Sequence, residues 1–239
     1  MASLAANQQN ITKLLMNFTK DTPYSTIEQM VREAVYKKMN LDVPTPKTGP
    51  NPLVVNISAR HVHLTPQALE ALFGKGYKLN VHKWLYQEGF FAAKESVTLI
   101  GPRSRIISNL RILGPCRDYN QVELALTDAR ALGFDVPLRQ SGDVKGTPGC
   151  MLMGPAGFYE LDCGVIRAAR HVHMSPEDAE FYGVKDKDFM DLKVYGENSI
   201  IFENLLCRIG KKLRLEVHLD TDEGNACNLG PNTLCELVK

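Results

Sequence analysis

An internal duplication constrains the fold of this sequence more than any other feature. Residues 60–66 read Arg-His-Val-His-Leu-Thr-Pro, and residues 170–176 read Arg-His-Val-His-Met-Ser-Pro, at an offset of 110 residues. A repeated segment of this kind marks two copies of the same supersecondary unit. The chain therefore has to accommodate two units of one architecture, each built around a His-Val-His motif.

A second group of matches extends the duplication at an offset of 95 residues. It comprises Gly101 with Gly196, residues 109–110 with 204–205, and residues 122–124 with 217–219. The offset has fallen by 15 residues, which predicts an insertion in the first repeat, and we place it within residues 75–95. Under this alignment Glu123 occupies the position of His218.

Each repeat supplies three side chains suited to binding a metal ion. Residues i and i+2 of a strand point to the same face, so the two histidines of each motif project together. A carboxylate or imidazole from a neighbouring strand would complete a three-ligand site with an open position, as in catalytic zinc sites. A single His-x-His is more often a surface or core pair, but its recurrence favours a transition metal, with zinc the first candidate. The two predicted ligand sets are His61, His63 and Glu123, and His171, His173 and His218.

The remainder of the body predicts a mainly β protein. From residue 53 onward short β-type runs follow one another at close spacing, many of them separated by glycine or proline. Short helices are expected after Thr65-Pro66 and Ser175-Pro176, where a hydroxyl side chain at the N-cap precedes proline at the first helical position. We therefore expect two similar β-barrels from the internal repeat, capped by short helices.

The first 52 residues differ from this body. Residues 1–20 carry an apolar stripe that predicts an amphipathic helix, and so a helical N-terminal extension. Residues 21–52 predict a second helix followed by a stiff proline-rich linker. Residues 53–162 hold the first repeat plus a connector, and residues 163–239 hold the second, with strand exchange between the two barrels left open. The stripe consists of Ile11, Leu14, Leu15 and Phe18.

Composition excludes several classes of partner. Lys and Arg total 28 against 27 Asp and Glu, so the net charge of +1 provides no basic field for nucleic acid or an anionic membrane. The apolar runs are far shorter than the roughly 20 residues of a membrane-spanning helix, and the first residues lack a secretory pattern. These two features predict a cytoplasmic protein, and the wide spacing of the six cysteines favours reduced structural thiols.

Taken together, these motifs resemble the PduL-type phosphate propanoyltransferases, the phosphotransacylases of bacterial microcompartments. The resemblance runs from about residue 54 to residue 228, and Cys116, Gly224 and Cys227 depart from the family pattern without removing a candidate ligand. The segments that carry it are 56–64, 114–117, 121–123, 126–129, 139–142, 170–173 and 218–223.

The resemblance implies a fold and a reaction. It implies two similar β-barrels, two zinc ions per chain, and reversible conversion of acyl-CoA and phosphate, with propanoyl-CoA the expected thioester, into acyl phosphate and coenzyme A. It also implies that the set containing Glu123 holds the metal that meets the substrate or the CoA sulfur, while the set containing His218 holds the second metal.

Four further residues are predicted to contact substrate. The guanidinium of Arg117 pairs well with phosphate, and this residue lies six positions before Glu123 in a Gly-Pro-x-Arg context. Ser58, Arg111 and Asn225 match family positions around the same pocket and are expected to bind phosphate or CoA. Arg117 is therefore the predicted catalytic residue, and the other three are predicted substrate-binding residues.

The resemblance also implies a cellular setting. The helix of residues 1–20 is expected to direct a homo-oligomeric enzyme to the microcompartment lumen through contacts with shell proteins or lumen enzymes. Two alternatives remain on the residues alone. One is a zinc-dependent hydrolase of thioesters or amides, since an open metal site also activates water. The other is a non-catalytic metal-binding protein of the microcompartment.

Overall fold

The computed structural model describes residues 52–239, which lie within a single compact unit. The predicted helix of residues 1–20 lies outside the described residues, as do the predicted second helix and linker of residues 21–52 apart from Pro52. Among the described residues, no helix combines the length and the apolar character needed to cross a membrane.

The described chain contains fifteen strands and four short helices. Those of the first repeat are β1 (Val54–Ser58), β2 (His61–His63), α1 (Pro66–Phe73), β3 (Val81–Trp84), β4 (Phe91–Ile100), β5 (Ile106–Gly114), β6 (Gln121–Glu123), α2 (Leu126–Leu132), β7 (Leu138–Arg139), β8 (Cys150–Met153) and β9 (Phe158–Leu161). Those of the second repeat are β10 (Val165–Ala168), β11 (His171–Met174), α3 (Pro176–Tyr182), β12 (Phe189–Val194), β13 (Ile200–Ile209), β14 (Glu216–Asp220), α4 (Thr221–Ala226) and β15 (Cys235–Val238).

The strands form two sheets. The first sheet has the order β7-β10-β6-β2-β5-β4-β8-β9, with β3 paired to β4, and the second has the order β1-β14-β11-β13-β12-β15. Each sheet curls as half of a barrel, so the prediction of a mainly β protein with two similar barrel-like units and short helices is confirmed. One strand of each repeat lies in the sheet of the other: β1 pairs in parallel with β14, and β10 pairs in parallel with β6 and β7.

The pairing register of the two sheets follows the duplication. In the first sheet β2 lies antiparallel to β6 and parallel to β5, with His61 opposite Glu123. In the second sheet β11 lies antiparallel to β14 and parallel to β13, with His171 opposite His218. The sequence alignment of Glu123 with His218 therefore holds in three dimensions.

Two backbone details repeat as well. The aligned residues Asn109 and Asn204 both adopt a left-handed conformation, with φ of 58° and 62°. The valine of each His-Val-His motif is fully buried, Val62 in the core under the first sheet and Val172 in the core under the second. Because side chains alternate along a strand, the histidines on either side of each valine face away from these cores.

Both predicted helix starts are confirmed. Thr65 caps α1 by accepting a hydrogen bond from the Ala68 backbone N–H. Ser175 caps α3 in a capping box with Asp178, and proline occupies the first turn of each helix. The segment between α1 and β4, residues 74–90, contains β3, whereas residues 183–188 alone connect α3 to β12. The extra segment thus overlaps the range of residues 75–95 predicted for the insertion.

The arginines before the histidine motifs make equivalent ion pairs. Arg60 donates to Asp128 at 2.8 Å, and Arg170 donates to Glu223 at 2.9 Å. Asp128 and Glu223 belong to α2 and α4, the helices that follow the strands bearing Glu123 and His218. These arginines therefore connect each histidine motif to the first turn of a helix, α2 in the first repeat and α4 in the second.

Candidate metal centres and the cavity between them

The first predicted ligand set forms one buried cluster. His61 and His63 on β2 are 5% and 3% exposed, and Glu123 on β6 is 9% exposed. The two Nε2 atoms lie 3.2 Å apart, and the Glu123 carboxylate lies 3.5 Å from His61 Nε2 and 4.0 Å from His63 Nε2. Zinc–nitrogen bonds of 2.0–2.1 Å in a tetrahedron place ligand atoms about 3.3 Å apart. The residues therefore fit a zinc ion.

The second set also converges. His171 and His173 lie on β11 and His218 lies on β14, and their ligand atoms are within 4.8 Å of one another. The rings of His171 and His218 stack with centroids 4.9 Å apart, and the centroid of His173 lies 5.0 Å from that of His218. This all-imidazole set suits zinc as well.

Backbone carbonyls orient one histidine of each cluster in the same way. His61 Nδ1 lies 2.8 Å from the Ala59 carbonyl oxygen, and His171 Nδ1 lies 3.0 Å from that of Ala169. A carbonyl accepts a hydrogen bond, so Nδ1 carries the proton and Nε2 keeps its lone pair. This arrangement holds an imidazole ready to bind a metal through Nε2.

Electrostatics in the first cluster favour a positive charge beside the Glu123 carboxylate. Burial opposes protonation of His61, but the neighbouring Glu123 carboxylate outweighs it and raises the pKa of His61. Burial would likewise raise the pKa of Glu123, yet the nearby His61 holds it well below the usual range. Burial, together with His61 and Arg117, lowers the pKa of His63 to about 2. A metal cation would supply the positive charge that this arrangement favours.

In the second cluster the imidazoles of His171 and His173 are held neutral. Burial, and then the charge of His218, lowers the pKa of His171 to about 4. Burial, and then the charges of His171 and His218, lowers the pKa of His173 to about 2, and Arg208 contributes in the same direction. Neutral imidazole is the form that binds a metal ion.

A hydrogen-bond network connects Glu123 to Arg117. Gln121 Nε2 donates to Glu123 Oε1 at 2.6 Å and to Ser141 Oγ at 2.8 Å, and Ser141 Oγ lies 3.2 Å from the same carboxylate oxygen. Arg117 donates to Ser141 Oγ at 3.2 Å and to Tyr119 Oη at 3.0 Å, with its guanidinium over the Tyr119 ring. Gln121, Ser141 and Tyr119 were not predicted, although Gln121 lies two positions before Glu123 on the same face of β6.

One cavity of about 1090 Å³ contacts both clusters. Of the predicted substrate residues, Ser58, Arg111 and Arg117 lie in its wall, whereas Asn225 is exposed on α4 and lies outside it. Arg111 donates hydrogen bonds to the carbonyl oxygens of Ala93 and Lys94, which fixes its guanidinium at the wall.

The lining of this cavity suits a large anion. The inserted segment of the first repeat contributes apolar and aromatic surface, including Trp84, which is 62% exposed, and Phe90. Against this surface lie more cations than carboxylates, a balance that favours phosphate groups. The cations are Arg60, Lys83, Arg111, Arg117, Arg208 and Arg214, and the carboxylates are Glu123, Glu216 and Asp220.

Known proteins are similar in sequence to most of this chain. The family model for phosphate propanoyltransferase matches residues 54–230. The chain is 60% identical to a phosphate propanoyltransferase of Planctopirus limnophila over 191 residues, which cover 80% of this chain and 78% of that protein. It is 48% identical to the enzyme of that name from Thermotoga maritima and 44% identical to the one from Salmonella typhimurium, in each case over 78% of this chain and 89% of the relative. The chain belongs to the phosphate propanoyltransferase family.

Proposed function

We propose that this protein is a zinc-dependent phosphotransacylase that interconverts propanoyl-CoA and phosphate with propanoyl phosphate and coenzyme A, in both directions. The observation that carries the proposal is that both three-residue metal-ligand sets lie in the wall of one shared cavity. The cation-rich lining around the sets suits substrates that all carry phosphate groups. Family membership supports the same reaction.

The reaction sets definite requirements on the site. A phosphate oxygen forms a bond to the thioester carbonyl carbon, the carbon–sulfur bond breaks, and CoA leaves as a thiolate that solvent then protonates. Zinc ions bound to the two sets would supply Lewis acidity toward the carbonyl and stabilise the thiolate. The chain itself has to orient the phosphate and exclude water from the carbonyl carbon.

Arg117 is our candidate for orienting the phosphate. Its contacts with Tyr119 and Ser141 use one nitrogen of the guanidinium, so the other donors of the fork stay available for phosphate oxygens. Ser141 also contacts Glu123, so hydrogen bonds through Ser141 connect Arg117 to the first ligand set. A phosphate held at this point would lie beside that set with two of its oxygens paired.

Three polar residues of the cavity wall are assigned to CoA. Ser58 and Arg111 lie in the wall, and Lys83 on β3 adds a third polar group from the inserted segment. Asn225 stays a proposed substrate contact, although it lies outside the wall, and CoA is long enough to extend beyond the cavity toward α4.

The decisive assay measures CoA release from propanoyl-CoA and from acetyl-CoA. We expect release only when phosphate is present, faster release with propanoyl-CoA, and loss of release after treatment with a zinc chelator. Acyl phosphate and CoA supplied together should regenerate the thioester. Release without phosphate would indicate the hydrolase alternative, and no release under any condition would indicate a non-catalytic metal-binding protein.

We also propose that residues 1–20 direct a homo-oligomer to the lumen of a bacterial microcompartment. The apolar stripe of this segment, separated from the body by a proline-rich linker, supports this proposal. Fusion of residues 1–20 to a fluorescent protein should place the fluorescence in shell-containing particles. Diffuse fluorescence would contradict the proposal without affecting the catalytic assignment.

A further inference from the structure

A buried carboxylate outside both ligand sets lies against the second cluster. Glu216 is 3% exposed and lies on β14 two residues before His218, so both side chains are on the same face of the strand. It is directly opposite His173 on β11. Its Oε2 atom lies 3.1 Å from His218 Nε2.

Two side chains from distant parts of the chain hold this carboxylate. Asn56 of β1 donates to Glu216 Oε1 at 2.5 Å, and Gln87 of the inserted segment donates to Oε2 at 2.6 Å. Gln87 is itself 6% exposed and exchanges two hydrogen bonds of 3.0 Å with the backbone of Arg214. Each carboxylate oxygen therefore already accepts a strong hydrogen bond, which keeps the group in place beside His218.

The first cluster has a neutral residue at the equivalent position. Gln121 lies two residues before Glu123 and opposite His63, as Glu216 lies two residues before His218 and opposite His173. Each of the two strands carries one carboxylate at these two positions, but in opposite order. On β6 the carboxylate is the second residue, Glu123 after Gln121, and on β14 it is the first, Glu216 before His218. The second cluster thus has three imidazoles as ligand candidates and a carboxylate next to them.

We propose that Glu216 is a positioning residue of the second metal site, its fixed carboxylate lying against the His218 ring and supplying the negative charge that the three imidazoles of the site lack. This inference rests on the metal sites of the proposed function. A buried dication with only imidazole ligands is costly, and a carboxylate held next to a ligating histidine offsets that charge. Glu216 therefore controls how tightly the second ion is held.

The test compares Glu216→Gln with Glu95→Gln in the full chain. Glu95 is a matched control because it is also buried, at 8% exposure, and accepts hydrogen bonds from Tyr77 and Asn80 away from both clusters. Each metal-free protein is titrated with zinc in competition with a chromophoric chelator. We expect two ions in the wild type and in Glu95→Gln, and a second ion bound about 10- to 100-fold more weakly in Glu216→Gln.

Thermal unfolding of the metal-free proteins separates positioning from a general loss of structure. Both glutamine variants should unfold at similar temperatures, while only Glu216→Gln loses zinc affinity. Wild-type affinity for both ions in Glu216→Gln, or equal weakening in the two variants, overturns the proposal. If Glu216→Gln does not fold, Gln87→Leu replaces it, because it keeps the carboxylate and removes one donor that fixes it. Unchanged affinity for the second ion in Gln87→Leu then overturns the proposal.

The outcome is separable from that of the proposed function. Phosphate-dependent release of CoA by the wild type, together with wild-type zinc affinity in Glu216→Gln, would leave the proposed function standing and the inference refuted. Weaker zinc binding at the second site of Glu216→Gln, together with a wild type that releases no CoA in response to phosphate, would support the role of Glu216 and refute the proposed function.

Discussion

At the scale of single residues, the alternation of a strand explains why the histidines meet. Val62 and Val172 occupy the cores, so the imidazoles before and after them turn toward the cavity. His82, by contrast, is exposed on β3 and lies outside the cavity wall. Histidine therefore occurs both in the wall of the cavity and on the exposed surface of β3, so His82 can serve as the control for substitutions of the motif histidines.

We predict that His63→Ala lowers zinc content from two ions per chain to one and reduces kcat/KM by about 100-fold or more, because a three-ligand site rarely survives the loss of one ligand. His82→Ala should keep both ions and wild-type turnover. Elemental analysis and the CoA-release assay on the same preparations measure both effects. Two ions retained in His63→Ala would remove this residue from the ligand set.

Arg117→Ala should raise the phosphate KM and lower kcat, with a combined loss of about 10- to 100-fold in kcat/KM for phosphate, since a charge-assisted hydrogen bond is removed. Lysine at this position should restore activity only in part, because it lacks the planar fork. Arg105→Ala is the control, as Arg105 is exposed and donates to the Ala131 carbonyl oxygen.

Zinc content distinguishes the two roles that Arg117 could have. An unchanged zinc content with altered phosphate kinetics indicates direct phosphate binding. Loss of zinc would mean that Arg117 supports the first cluster through Ser141 and Glu123 instead. Saturation at the wild-type phosphate concentration with wild-type turnover would exclude both roles.

At the scale of elements, equivalent positions of the two repeats can differ in how closely they pack against their neighbours. Gly101 and Gly196 are aligned in sequence, and neither has a positive φ. A Cβ atom on Gly101 would lie 2.7 Å from the carbonyl oxygen of Leu132, the last residue of α2. A Cβ atom on Gly196 would meet no described atom within 4 Å. The first glycine allows close packing of a helix end, and the second does not have this role.

Gly101→Ala should therefore lower the free energy of unfolding by about 1–3 kcal/mol, because backbone must shift to relieve the overlap. Gly196→Ala should be neutral or stabilising within about 1 kcal/mol, since the substitution restricts the unfolded chain. Urea denaturation of both variants measures the difference. Equal stabilities would mean that α2 moves away from Gly101 without cost.

At the scale of the whole molecule, strand exchange joins the two repeats. The strand β10 of the second repeat lies between β6 and β7 of the first, and its residues Val165 and Ile166 are fully buried. Ile166 is paired with Glu123, so the first ligand cluster is bordered by a strand of the other repeat. The strand β1 makes the reciprocal exchange, with Asn56 opposite His218.

A fragment of residues 53–162 should consequently fail to fold by itself, because it lacks β10 and leaves the inner edge of β6 unpaired. Mixing or co-expressing it with residues 163–239 should restore a folded complex. Circular dichroism and the cooperativity of thermal unfolding measure folding of each fragment and of the mixture, with the full chain as control. A cooperative transition in residues 53–162 alone would contradict the prediction.

By itself, the sequence determined those features that depend on near neighbours and on the repeat. Thr65 and Ser175, each followed by proline, predicted the starts of α1 and α3, because N-capping and the fixed φ of proline act within one helical turn. The duplication predicted two similar β-barrels, which the structure shows as two curled half-barrel sheets. The alignment of Glu123 with His218 identified positions that are opposite His61 and His171 in the pairing registers. The metal-binding role of these residues stays a prediction.

The tertiary structure alone decided which distant segments meet. Nothing local to Val165 specifies pairing with Val122, and nothing local to Gln87 specifies a hydrogen bond to Glu216. Strand pairing satisfies backbone groups without regard to sequence distance, so burial and register over the whole sheet select the partner. For the same reason only the tertiary structure shows which strands are exchanged and that a carboxylate lies next to the second histidine cluster.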